Sequence, residues 1–156
     1  MKKNEKFRYR MESILKIKLK LEDQAKLAYA SALANFNREE EKLNNLKHKK
    51  LSYENEQRLL YTGRFNIKKM KQLSEAINIM NRKIENQTAV VKAAEKRLEA
   101  ARVRLNEAMI ERKTQEKLKE KAWQEYMMEY DLEERKEIDE HNSFIYGSLQ
   151  LHKEDR

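Results

Sequence analysis

The side chains best suited to chemistry are few and scattered. Three histidines, His48, His141 and His152, are far apart and have no metal-ligand spacing. Two acidic pairs, Glu133-Glu134 and Asp139-Glu140, could supply carboxylates for acid–base work. Catalytic carboxylates need a concave, partly dry site to shift their pKa values. There is no cysteine, which excludes disulfides and thiolate metal sites. There is no glycine-rich phosphate loop. Aromatic residues alternate with cations at Phe7-Arg8-Tyr9-Arg10 and at Tyr61-Thr62-Gly63-Arg64-Phe65. Such clusters stack bases in some proteins, but at helix ends they more commonly act as packing staples. The residues therefore point away from an enzyme, a cofactor, a metal and a nucleic-acid ligand.

The elements that would position these groups follow from composition. The 156 residues contain no proline and only two glycines, Gly63 and Gly147. Charged residues make up 40 % and apolar residues 39 %, too polar a mixture for a thick globular core. Apolar residues nevertheless recur at helical spacing, and most of the rest are good helix formers. The net charge of +8 comes from 35 cations interleaved with 27 acids, a pattern that suits solvated helix faces with internal ion pairs. No apolar run follows the basic start, and none reaches a membrane span, so a cytoplasmic protein is expected.

Met70, Leu73, Ile77, Met80, Ile84, Gln87, Val91, Ala94, Leu98, Ala101, Leu105 and Ala108 follow alternating steps of three and four. That repeat marks a coiled-coil seam. A looser frame runs through Phe36, Glu39, Leu43, Leu46, Lys50, Tyr53, Gln57 and Leu60. Upstream, Leu21, Ala25, Ala28 and Ala32 join it through two steps of four, a stutter. Between the halves, Gly63 can take a left-handed conformation and Asn66 can cap a new helix. The expected fold is all-α: one 1–156 coiled-coil hairpin. Its first helix covers about 5–61, its turn 62–66 and its longer second helix about 67–145, with a short tail behind.

With that turn, facing residues have numbers adding to about 127. Phe36 then faces Val91, Leu43 faces Ile84, and alanines at 25–34 fall opposite alanines at 93–101. Gln87 falls opposite Glu39 and Glu40. These groups either form a polar layer that holds the register or tilt out to water. The second helix projects about 20 residues beyond the first. Trp123, Met127, Tyr130 and Ile138 form an apolar stripe there. Either a partner covers it, or the tail bearing Phe144, Ile145, Tyr146, Leu149 and Leu151 folds back onto it.

The two ends of the chain carry a family resemblance. The opening runs from Phe7 through Met11, Ile14 and Leu15. The late second helix is lysine-rich from Glu111 to Tyr126. The acidic ending places Glu134, Lys136, Ile138, Asp139 and Glu140 in the pattern Glu-x-Lys-x-Ile/Leu-Asp-Glu. Nearly the whole chain resembles the flagellar export protein FliJ family. The resemblance implies a small cytoplasmic component of the flagellar type III export apparatus, peripheral to the inner membrane at the flagellar base and similar to the coiled-coil stalk of the rotary ATPase gamma subunit. It implies three partners: the hexameric export ATPase, whose central hole takes the terminal end; the cytoplasmic domain of the membrane export gate; and export chaperones. Phe7, Ile14, Leu15, Trp123, Met127, Tyr130 and Ile138 would then contact the ATPase. Ala76, Met80, Lys83 and Gln87 correspond to the gate-binding stripe. Ala76 and Gln87 depart from the bulky apolar residue and the histidine of the family pattern, and Met80 and Gln87 also lie on the expected seam. The competing readings are a generic coiled-coil scaffold, a stalk from a virulence-type secretion system, and a nucleic-acid-binding coiled coil.

Overall fold

A computed structural model describes residues 7–64 and 66–154. Two helices account for nearly all of them: α1, Glu12–Thr62, and α2, Ile67–Glu154. They pair as an antiparallel hairpin with the second helix longer, and no strand occurs among the described residues. Contacts divide the chain into two units. One, the hairpin unit, is Leu21–Met109; the other, the terminal unit, combines Met1–Lys20 with Ile110–Arg156.

In the hairpin unit, every α2 position of the expected repeat from Met70 to Ala108 is buried or half-buried. Leu73, Met80 and Ala94 form its core with Leu43 of α1, and Ala94 is the most enclosed at 1 % exposure. The α1 seam runs through Glu22, Ala25, Tyr29, Ala32, Phe36, Glu39, Leu43, Leu46, Lys50, Tyr53, Gln57 and Leu60. This is an unbroken alternation of three and four, so the expected stutter is absent. Leu21 and Ala28, assigned to the seam by the sequence, face water, and Glu22 and Tyr29 take their places. The repeat on α2 has no interruption, and a stutter on α1 alone would rotate its seam away from that partner. Continuity therefore outweighs burial of an acid. Glu22 is only 4 % exposed, and its carboxylate lies 3.5 Å from Lys26 Nζ, one turn on.

Of the alanines expected to face one another, Ala25, Ala32, Ala94 and Ala101 lie on the seam. Ala28, Ala30, Ala34, Ala93 and Ala100 are exposed. Arg102 and Glu99 pair on the outer face of α2, and Lys50 of the α1 seam pairs with half-buried Glu54 one turn on.

The turn uses different chemistry from that expected at Gly63. No described residue, Gly63 included, has a positive φ. The end of α1 is closed by a side chain instead: Thr62 Oγ1 donates to the Leu59 carbonyl at 2.9 Å. One of the orphan carbonyls at the helix end is thereby satisfied without a left-handed residue. Asn66 does cap α2, its Oδ1 accepting from the backbone N–H groups of Lys68 and Lys69 at 3.2 and 3.4 Å.

Both outer helix boundaries differ from the sequence expectation. α1 begins at Glu12 rather than near residue 5; residues 5 and 6 of that expectation lie outside the described residues, as does Phe65 of the aromatic–basic cluster. Residues 7–10 precede the helix, and the Glu12 N–H donates to the Tyr9 carbonyl at 3.1 Å in a turn that leads into it. α2 continues to Glu154, so the residues expected as a tail are helical and do not fold back. Gly147 is the weakest former there, and it costs a helix only about 1 kcal/mol relative to alanine. His152 and Lys153 in the last turn favour the negative end of the helix dipole.

Candidate functional site

The terminal unit gathers the aromatic residues. Phe7, in the lead-in before α1, sets its ring edge-on to Trp123 of α2, with centroids 5.0 Å apart and planes at 76°. It also lies 5.4 Å from Tyr126, which stacks on Trp123 at 5.8 Å. Tyr130 extends the row one turn further, 6.4 Å from Tyr126. Aromatic pairs at such separations contribute about 0.5–1.5 kcal/mol beyond the area they bury.

Polar contacts fix the lead-in against α2. The Tyr9 hydroxyl donates to Gln115 Oε1 at 3.2 Å. Glu12 pairs with Lys119 and Lys18 with Glu111, both at 2.9 Å. Leu15 sits behind them at 5 % exposure. A groove of about 590 Å³ runs alongside, lined by Phe7, Tyr9, Met11, Leu118, Ala122 and Tyr126 among others. It is open and holds no enclosed set of titratable groups. No group of three His, Cys, Asp or Glu side chains suited to a metal ion occurs among the described residues.

Of the seven residues assigned to an ATPase contact, the structure brings Phe7 and Trp123 together directly and links Tyr130 to them through Tyr126. Met127 is half-buried beside them. Leu15 is enclosed by the unit itself, and Ile14 is 40 % exposed on the outer face of α1. Ile138 lies apart, 54 % exposed, on a stretch of α2 where every residue from Asp131 to Glu154 faces water. The expectation that Trp123 is left uncovered is overturned, because Phe7 covers it. Tyr126 is the residue that the spacing argument missed. It stands three after Trp123 and four before Tyr130, which was signal enough to place it on the same face.

Bare α2 also carries a distinct charge pattern. From Glu129 to Glu140 there are seven acids and two bases, within a chain whose net charge is +8. Exposed Phe144, Ile145, Tyr146, Leu149 and Leu151 follow.

The four residues assigned to a gate contact divide differently. Met80 is 5 % exposed and belongs to the core. Gln87 is turned inward, its Nε2 donating to the Glu39 carbonyl at 2.9 Å and to the Glu39 carboxylate at 2.6 Å. The polar layer is therefore formed, with Glu39 as its acceptor, while Glu40 points to water. Gln87, with help from Lys42, holds the Glu39 carboxyl below the usual glutamate range. Ala76 is half-buried, and Lys83 is exposed next to Ile79, itself 46 % exposed.

Two long helices paired as an antiparallel hairpin define an all-α coiled-coil protein. Comparison with known proteins gives the family. The model of the flagellar FliJ protein matches residues 7–150, so the chain belongs to the FliJ family. Its fold is similar to that of a YscO homologue, CT670, from Chlamydia trachomatis, with a TM-score of 0.53 and 22 % identity over 96 % of this chain and 99 % of that one. No curated protein matches. No described helix is long and apolar enough to cross a membrane.

Proposed function

We propose that this chain is a non-enzymatic stalk and adaptor of the flagellar type III export apparatus. Its terminal unit enters the central hole of the hexameric export ATPase. The chain also engages the cytoplasmic domain of the export gate and export chaperones, in the cytoplasm at the membrane face of the flagellar base. Family membership supports the apparatus. The observation that carries the ATPase contact is the Phe7–Trp123–Tyr126–Tyr130 row, followed by a bare acidic and apolar helix end. Large aromatic groups, half-buried and already ordered, lose little entropy on docking. The exposed helix beyond them offers Ile138 and its neighbours to a ring that surrounds it.

Purified cognate export ATPase provides the test. Trp123→Ala with Tyr130→Ala should abolish stimulation of ATP hydrolysis while circular dichroism stays helical. Unchanged stimulation would remove the ATPase assignment. For the gate, Met80 and Gln87 are occupied inside the hairpin, so we assign the contact to the adjoining outer face with Ala76, Ile79 and Lys83. Ile79→Asp with Lys83→Glu should lose capture by the gate's cytoplasmic domain, and full retention would discard this face.

A stalk of a virulence-type secretion system is the second reading, favoured by the fold match to the YscO homologue. Flagellar genes beside an export ATPase gene would favour the first reading, and needle-complex genes the second.

A further inference from the structure

The hairpin turn combines two properties that the export reading leaves unused. From Gln57 to Ser74 the sequence has five cations, Arg58, Arg64, Lys68, Lys69 and Lys71, and no acid. It is the longest stretch of the sequence without an acid. All five cations are exposed, and among the described residues none takes part in an ion pair. Their placement does not serve helix stability. Lys68, Lys69 and Lys71 crowd the positive end of the α2 dipole, where acids are favoured and the first turn has none. A local rule broken without local compensation is expected where a surface has a function.

The second property is apolar. Leu59, Tyr61 and Ile67 are 70, 68 and 72 % exposed at the same turn. A phosphate backbone has no use for two exposed aliphatic side chains. A lipid surface does, because aliphatic groups enter the acyl boundary, tyrosine favours the headgroup level, and cations meet acidic headgroups. No described helix can span a bilayer, so the contact is superficial.

We propose that the hairpin turn binds the surface of an anionic phospholipid bilayer, with Arg58, Arg64, Lys68, Lys69 and Lys71 on the headgroups and Leu59, Tyr61 and Ile67 inserted between them. The charge complement is specific to acidic lipid. Each cation near such a surface strengthens binding roughly fivefold.

Flotation of the intact chain with vesicles tests this without any export component. Vesicles with about 25 % phosphatidylglycerol should carry the chain to the top, and pure phosphatidylcholine vesicles should not. Arg64→Glu with Lys68→Glu and Lys69→Glu should lower partitioning at least about 100-fold. Those substitutions place acids at the start of α2, which the helix dipole favours, so an undisturbed melting curve will separate lost binding from lost folding. Leu59→Ser with Ile67→Ser should weaken binding and leave its salt dependence intact. Lys47→Glu with Lys49→Glu, on exposed α1 positions away from the turn, should have little effect. Equal flotation with both vesicle types, or full binding by the triple variant, would overturn the proposal. So would tighter binding to a short RNA duplex or to polyglutamate than to anionic vesicles.

Discussion

Gln87 reaches across the hairpin and donates to both the backbone carbonyl and the carboxylate of Glu39, at 2.9 and 2.6 Å. One amide group thus ties a side chain and a main chain on the opposite helix. A slip of one heptad would leave both acceptors without this donor, so the layer specifies register as well as stability.

That contact sets an acid limit. The Gln87 bond, followed by Lys42, lowers the Glu39 pKa in the folded state, and Arg102 lowers that of Glu99. A carboxyl with a depressed folded pKa contributes stability that is fully present above its unfolded value and is lost as pH falls through its folded value. The urea midpoint should therefore be flat near neutrality and fall on acidification below the ordinary glutamate range. Glu39→Gln should make that fall shallower. A fall of the same steepness in the variant would mean that the layer does not titrate with folding.

Glu22 keeps α1 in an unbroken frame at the expense of a nearly buried acid. An apolar residue fits the seam better, and replacing buried charge by well-packed hydrocarbon is commonly stabilising by about 1–4 kcal/mol. Glu22→Leu should raise the thermal midpoint. Spin labels at positions 43 and 84 should report the same short separation in both proteins. A lowered midpoint would show that the Lys26 pair outweighs desolvation.

Phe7 is the covering group over Trp123, the sole tryptophan. Phe7→Ala should shift Trp123 emission to longer wavelength and destabilise the terminal unit by about 1–2 kcal/mol. The fluorescence-detected urea transition should then move to lower denaturant than the helical signal of the hairpin unit. Unchanged emission would mean that the ring contact is not populated in solution.

The turn gives a paired test. Gly63 has no positive φ, and a Cβ there would meet only the Leu59 carbonyl oxygen, at an ordinary 3.8 Å. Gly63→Ala should be neutral or stabilising, by up to about 1 kcal/mol. Asn66→Ala removes the α2 cap and should cost about 1 kcal/mol. A large loss from Gly63→Ala would restore the left-handed cap.

The second helix was legible because its apolar residues follow one period without a break. The pairing rule also sent Gln87 to Glu39 and Glu40, but packing had to decide between a polar layer and two groups turned to water. The early part of α1 was not. Leu21 and Ala28 are more apolar than Glu22 and Tyr29, and composition alone chose them. What decides the matter is the continuity of the facing seam, a relation between two helices that no single segment displays. The helix boundaries failed for a similar reason. Phe7 leaves the helical path in the lead-in that packs against Trp123, a partner 116 residues away in sequence. At the other end there is no proline, and Gly147 alone did not stop the helix. The shared face of Trp123 and Tyr130 was legible from spacing, whereas the cover that Phe7 gives Trp123 was not. Met80 and Gln87 served two patterns at once, and packing resolved what spacing left open.

The stretch from Leu132 to Glu154 is exposed at every residue, so its helix rests mainly on local terms. A lone helix of that length in water interconverts with coil within about a microsecond. Its end therefore frays and re-forms much faster than two large proteins encounter one another. On the proposed function, a ring threading onto this chain would meet a supple tip first and stiffen it during passage. Under the proposed ATPase contact, Ile138 and the residues after it would become ordered only once the ring is in place.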